Sequence, residues 1–212
     1  MKEAKTVKIE KIYDLIKSNF EIVVGMAANE PRVFMENLHT IGDKVEHVTI
    51  TNCLPFVKAD FFTEEKWRDA FFLDSWFHNA TLRKASKHGN ISYIPNHLHF
   101  AGKKRLDYKK PNIFITAATP PDKHGFMSLS TSNVYEKEMV EAADIVVFEI
   151  NPNFPRTFGD MEVHIRDIDY LVETDYDVPV LPSPEPNEKD MKIGKLIAEH
   201  IHDGDNIQLG IG

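Results

Sequence analysis

Cysteine is nearly absent: Cys53 is the only one in 212 residues, which excludes an internal disulfide and a cysteine-based metal cluster. Long apolar runs are absent as well. No stretch reaches the roughly 18 consecutive apolar residues of a membrane-spanning helix. Behind Met1 to Thr6 there is no apolar segment that reads as a secretory signal. Concentrated positive charge is also missing. The net charge is −8 with no arginine-rich arm, so the phosphate attraction behind nucleic-acid binding has no visible source. A cytoplasmic location, with neither membrane nor nucleic acid as partner, is expected. Lys103, Lys104 and Arg105 with Lys109 and Lys110 form the one basic region, either a solvated loop or an anion contact.

The hydrophobic share, 42%, suffices for one large domain or a domain plus part of another. Residues 9–19 carry Ile12, Leu15 and Ile16 at helical spacing, and residues 21–25 read as a short buried strand. Residues 31–41 predict a second helix, with Asn29 as N-cap and Pro31 in its first turn. Strand-like runs follow at 47–52, 71–76, 112–116 and 145–150, and residues 134–143 have helical composition. This alternation predicts an α/β fold, a three-layer α/β/α arrangement around an open, largely parallel sheet.

Pro182, Pro184 and Pro186 mark residues 181–190 as an extended linker after a domain spanning 1–180. Residues 191–202 are helical in pattern, and IQLGIG closes the chain at 207–212. That ending repeats the beginning. Gly210 placed under Gly25 aligns Ile197 with Ile12, Ile201 with Ile16, Ile207 with Ile22 and Leu209 with Val24. Residue types this common can match by chance, but the shared register over five positions favours a duplicated helix-turn-strand module, so residues 191–212 are expected to begin a second, truncated domain. A helix and one strand cannot build a core of their own.

In open α/β sheets ligands sit at the carboxyl ends of strands, and three loops occupy such places. Residues 25–31 are mostly small, so a ligand can approach their amides; a plain strand-to-helix turn is the competing account. Residues 119–133 hold two prolines, Gly125 and the hydroxyls of Ser128, Ser130, Thr131 and Ser132, which either cap a helix or meet a polar ligand. Residues 151–160 carry Arg156, a partner for a carboxylate or phosphate, or for Asp160 or Glu162 in a structural salt bridge.

PPDKHGFMSLS at 120–130, PRTFGDMEVHI at 155–165 with Asn151 before it, and IDYLVE at 168–173 resemble signature blocks of the acetyl-CoA hydrolase/transferase family. This family includes 4-hydroxybutyrate and acetate CoA-transferases. IQLGIG is similar to the block that opens their second domain, and Ser130 stands where many relatives have glycine. The resemblance implies a CoA-transferase-like fold of two similar domains with the active site between them. It implies a coenzyme A thioester as substrate, a small carboxylate as acceptor and no permanently bound cofactor. The nucleophile it implies is a glutamate beyond Gly212, which forms a glutamyl-CoA thioester. By pseudo-symmetry, Gly25, Met26, Ala27 and Asn29 are expected to face Gln208, Gly210 and Gly212 around the substrate. Glu30 and Asp122 are the best-placed carboxylates within the chain, but neither matches the family nucleophile.

Other chemistry is weaker. Of ten histidines, His97 and His99 have strand-face spacing but no nameable third ligand, and His200 and His202 fall in a predicted helix where that spacing diverges. No metal site is expected. His124 with Ser128, Ser130 and Ser132 forms no nucleophile elbow. Trp67, Phe71, Phe72, Trp76 and Phe77 read as core or a contact face, with stacking on an adenine as the lesser alternative. Acetyl-CoA hydrolysis, a partner subunit lending its nucleophile and a non-catalytic CoA- or sugar-phosphate-binding module stand beside transfer. An isolated first domain exposes its partner face, so this chain is expected to self-associate or to have limited solubility. Sedimentation at high concentration checks this, and a monodisperse monomer would count against it.

Overall fold

The apolar runs condense into one parallel sheet. The computed structural model describes residues 4–180, 182 and 184–210, and its contacts divide the chain into two units at Val178 and Pro179. The first unit opens with β1 Lys5–Thr6, α1 Ile9–Tyr13, β2 Glu21–Val24, α2 Arg32–Asn37, β3 Val48–Asn52, α3 Asp60–Thr63, β4 Phe71–Ser75 and α4 Ala80–Ala85. It continues through β5 Ile91–Tyr93, α5 Ala101–Tyr108, β6 Ile113–Ala118, β7 Phe126–Ser128, α6 Glu136–Ala142, β8 Ile145–Ile150, β9 Glu162–His164 and β10 Tyr170–Glu173. The second unit contains α7 Glu188–Ala198.

Eight strands pair in the order β1-β10-β8-β6-β2-β3-β4-β5, every neighbour parallel. The chain winds outward from β2 through β5, then returns to lay β6 on the other side of β2. That reversal puts the switch point between β2 and β6. Strands β2 and β6 are buried along their whole length, as the central members of a doubly covered parallel sheet should be. One face packs Ile22, Val24, Ile50, Leu73 and Ile115 against Phe34, Phe61, Phe62 and Leu82 of α2 to α4. The other packs Val23, Phe114 and Phe148 against Met127, Leu129, Tyr135 and Met139. This is the three-layer arrangement expected. It also carries a small antiparallel ribbon, in which β7 pairs with β9.

The helices depart from their expected extents for local reasons. Only Ile9–Tyr13 of residues 9–19 is α-helical, and Asn19 turns the chain with a left-handed φ of 66°. The second helix stops at Asn37 and tightens into a 3₁₀ segment, Leu38–Lys44, where Thr40 Oγ1 donates to the Asn37 carbonyl at 2.7 Å. In the second unit α7 begins at Glu188, inside the expected linker. Asn187 Oδ1 accepts from the Asp190 amide at 3.0 Å, and Asp190 Oδ2 accepts from the Asn187 amide at 3.0 Å. The helix ends before His200 and His202, correcting their placement. Residues 207–210 form no strand; within that unit an isolated strand has no neighbour to pair with. Expectations for Leu181, Ser183, Ile211 and Gly212 fall outside the described residues.

Asn29 does not cap α2. The N-cap position is Pro31, which makes no side-chain bond. The amides of Phe34 and Val33 instead donate, at 2.6 and 3.1 Å, to Oε1 and Oε2 of Glu149, near the carboxyl end of β8. Burial pushes the Glu149 carboxyl up from 4.5 to about 7, against the opposing pull of those amides. The folded chain therefore holds this proton at pH values where the unfolded chain has released it. Stability should fall as pH rises from about 4.5 through 7, by roughly 3 kcal/mol for this one group. Urea denaturation at pH 5, 6, 7 and 8 checks this. Glu149→Gln should flatten that part of the slope, and equal slopes in both proteins would show the carboxyl already ionised at pH 5.

Candidate functional site

The switch point is closed by the loop that follows β2. A side chain at Gly25 would place its Cβ 2.1 Å from Thr116 Oγ1 and 2.5 Å from the Asn29 carbonyl oxygen, so only glycine fits between β6 and the returning loop. Thr116 Oγ1 donates to that carbonyl at 3.1 Å. Asn29, fully buried, is the bolt of the crevice. Its Nδ2 donates to the carbonyls of Ala117 (3.2 Å) and Leu129, and its Oδ1 accepts from Thr131 Oγ1. The loops after β2 and β6 are thereby joined by one carboxamide.

The amides of this loop are mostly engaged. Gly25 donates to the Ile115 carbonyl at 3.0 Å, Ala27 to that of Cys53 at 3.3 Å and Asn29 to that of Met26 at 2.9 Å. The Met26 amide donates to Glu136 Oε1 at 3.1 Å. The expected row of bare amides is therefore reduced to Ala28, whose N–H has no acceptor among the described residues. Ala27 holds a left-handed φ of 53°, and Met26, Ala27 and Ala28 remain partly exposed. Cys53, at the end of β3, is buried, and burial pushes its thiol up to about 11, so it stays protonated.

Glutamates hold the rest of the rim. Glu30 accepts from Asn52 Nδ2 at 2.7 Å and from the amides of Phe56 and Val57 at 2.9 and 2.7 Å. Burial pushes its carboxyl up to about 7 against those three bonds. Glu136 accepts from Ser132 Oγ at 2.7 Å and from the amides of Val134 and Tyr135 at 2.7 and 3.1 Å, besides Met26. Sequence reasoning missed Glu136 and Glu149. Glu149 left a usable signal, a lone carboxylate in the apolar run IVVFEI; Glu136 left none.

The other predicted residues are structural. Asp122 Oδ1 accepts from the amides of His124 and Phe126 at 2.8 and 2.9 Å, and the Phe126 amide foremost holds this carboxyl below the usual carboxylate range. Arg156 bridges Glu162 (2.8 Å), Asp122 (3.2 Å) and the Phe126 carbonyl (3.1 Å), while Asp160 pairs with Lys137 instead. Ser128 and Ser130 donate to the carbonyls of Thr157 and Pro155 at 3.0 and 2.7 Å, and Ser130 takes a left-handed φ of 61°, a conformation that favours glycine. His97 and His99 lie on a 3₁₀ turn with ring centroids 5.9 Å apart, not on a strand. Phe71 is core, Trp67 packs against it, Trp76 is buried on Tyr135, and Phe77 is exposed. Arg105 is buried with Glu21 at 3.0 Å; burial draws its guanidinium pKa down, against the pull of that carboxylate. Gln208 and Gly210 lie in the second unit without regular structure, and Gly212 is outside the described residues.

Comparison with known proteins agrees with this fold. The chain is 30% identical over 198 residues to a succinyl-CoA:cyclohexane-1-carboxylate CoA transferase of Geobacter metallireducens, covering 93% of this chain and 45% of that protein. It is 30% identical over 209 residues to a 4-hydroxybutyrate coenzyme A transferase of Clostridium kluyveri, covering 98% and 48%. The chain thus spans about half the length of the curated relatives it matches. The crystal structure of RipA from Yersinia pestis has the same fold, with a TM-score of 0.90 at 23% identity over 98% of this chain and 51% of that one. The model of the acetyl-CoA hydrolase/transferase N-terminal domain matches residues 2–182, and the chain belongs to that family.

Proposed function

We propose that this chain is the amino-terminal half of a CoA-transferase that moves CoA between an acyl-CoA, such as acetyl-, butyryl- or 4-hydroxybutyryl-CoA, and a small carboxylate. The family match across residues 2–182, with relatives named as CoA-transferases, carries the proposal. CoA enters as a substrate thioester and no cofactor is held permanently. The composition supports a cytoplasmic location, and among the described residues no helix is long and apolar enough to cross a membrane.

Transfer through an enzyme-bound thioester needs an unencumbered carboxylate. Its oxygen attacks the acyl carbonyl, expelling CoA thiolate and leaving a mixed anhydride. The thiolate attacks the glutamyl carbonyl of that anhydride, releasing the first acyl group as a carboxylate. The acceptor carboxylate then attacks the glutamyl-CoA so formed, and the displaced thiolate takes the new acyl group. Glu30, Glu136 and Glu149 are each committed to backbone amides, and Asp122 to its turn and to Arg156. This supports a nucleophile from outside the chain, a glutamate of a second domain beyond Gly212. Met26 and Ala27 would wall the acyl end, held in place by Gly25 and the buried Asn29, with the Ala28 amide left for the developing oxyanion. Gln208, Gly210 and Gly212 are assigned to substrate by the family resemblance alone.

The natural protein should have about twice the mass of these 212 residues. Incubated with acetyl-CoA, it should form a CoA adduct on a glutamate outside them, trapped by borohydride and located by peptide mass spectrometry; an adduct on one of this chain's own carboxylates would refute the proposal. Carboxylate-dependent formation of a new acyl-CoA distinguishes transfer from release of free CoA by water. Gly25→Ala, crowding Thr116 and Asn29, should lower stability by about 1–3 kcal/mol and reduce turnover in the natural protein. Unchanged turnover would separate the crevice from catalysis.

A further inference from the structure

The aromatic stretch around Trp76 and the basic run at Lys104 and Arg105 meet in one cavity of about 330 Å³ within the first unit, in the size range of small-molecule sites. A change in the sheet opens it. Across the strands runs the row Phe114, Val23, Thr51, Asp74, Ser92, in register. Phe114 and Val23 belong to the second-face core, and the row turns polar beyond them. Over that polar part α5 lays Arg105, not an apolar side chain, and its guanidinium is spent on Glu21 and Thr51.

The groups left around the space are specific. Asn96 Oδ1 is buried and has no hydrogen-bond partner, and its carboxamide makes no bond among the described residues. Asp74 gives one carboxylate oxygen to Ser92 Oγ, while Oδ2 has no partner among those residues. Trp76 forms a fixed wall, its ring edge-on to Tyr135 at 5.0 Å. Tyr108 forms an open rim, 77% exposed, with its ring centroid 5.8 Å from the Arg105 guanidinium carbon. Lys104 is exposed and has no ion pair among the described residues.

An unpaired carboxamide presents a donor beside an acceptor, the complement of the amine and ring-nitrogen edge of adenine. Flat aromatic walls suit the base itself. A free carboxylate acceptor suits its exocyclic amine, and a lysine at the mouth suits a phosphate. A simple carboxylic acid would face the Asp74 carboxylate, and an aliphatic chain would leave Asn96 and Asp74 unpaired. We propose that this cavity binds an adenine nucleotide, with the base between Trp76 and Tyr108, its amine edge on Asn96 and Asp74, and its phosphate toward Lys104. The source is either the nucleotide end of CoA or a free nucleotide.

Isothermal titration of the 212-residue chain with AMP, 3′,5′-ADP, adenosine, CoA, pantetheine and GMP tests this without any turnover, so its failure leaves the transferase proposal untouched. Saturable binding of adenine compounds is expected, with GMP at least ten-fold weaker and pantetheine silent. CoA and 3′,5′-ADP binding more tightly than AMP would identify the end of CoA, and the reverse order a free nucleotide. Asn96→Leu should weaken binding at least ten-fold while keeping or raising Tm, because the carboxamide has no partner to lose. Lys104→Ala should narrow the gap between AMP and adenosine. No saturable binding by any adenine compound would overturn the proposal, as would equal affinity for GMP or unchanged affinity in Asn96→Leu.

Discussion

Beyond the carboxyl ends of the strands, loop and helix-start amides have no ladder to join, and in this protein buried glutamates accept from them. Glu149 receives the amides of Val33 and Phe34, Glu30 those of Phe56 and Val57, and Glu136 those of Met26, Val134 and Tyr135. Each carboxylate reaches a segment distant in sequence or a turn at a helix start. The carboxyl edge is thus a set of loops sewn together by buried carboxyl groups that accept from them. Burying a carboxylate is unfavourable unless its lone pairs are filled, and here they are filled almost entirely by main chain. A rim of this kind is fixed in shape before any ligand arrives, which a site that positions a reacting carbonyl requires.

The same economy accounts for the crevice. Gly25 has no side chain because Thr116 and Asn29 occupy the space where one would stand. Asn29 is buried because it satisfies two carbonyls of other segments and one hydroxyl. Small residues in this loop read as openness in the sequence. In the folded chain they are instead the condition for close approach of two strand-end loops, with Ala28 left as the unpaired donor.

Much of the fold was legible because its central strands are rich in apolar residues, most plainly β6 and β8: β2, β3, β4, β6 and β8 all fall within a residue or two of their expected bounds. The short strands β1, β5 and β10 and helices of four to eight residues, α3 to α5, give too few periods to stand out. The signature blocks led to the family, and the structure gives them a physical role: Asp122, Arg156 and Glu162 clamp the β6 loop to the β7–β9 ribbon. What the sequence could not display was partnership at long range. Asn29 sits where a helix cap should be, yet the cap is Glu149, over a hundred residues away, and nothing local to residues 29–34 announces it. The hydroxyls of Ser128 and Ser130 looked available for the same reason, since the carbonyls they serve belong to Thr157 and Pro155; Ser132 serves Glu136, its neighbour at the start of α6.

The pairing of β1 with β10 sets an order on synthesis. Lys5 and Thr6 find their only sheet neighbours at Tyr170 and Leu171. During translation β1 must therefore wait, unpaired, until β10 has emerged. Until then the β10 side of the sheet has no cover for its main-chain groups and is open to strands of other chains. Two residues suffice to close it, and they are the last piece of the sheet that a growing chain can put in place.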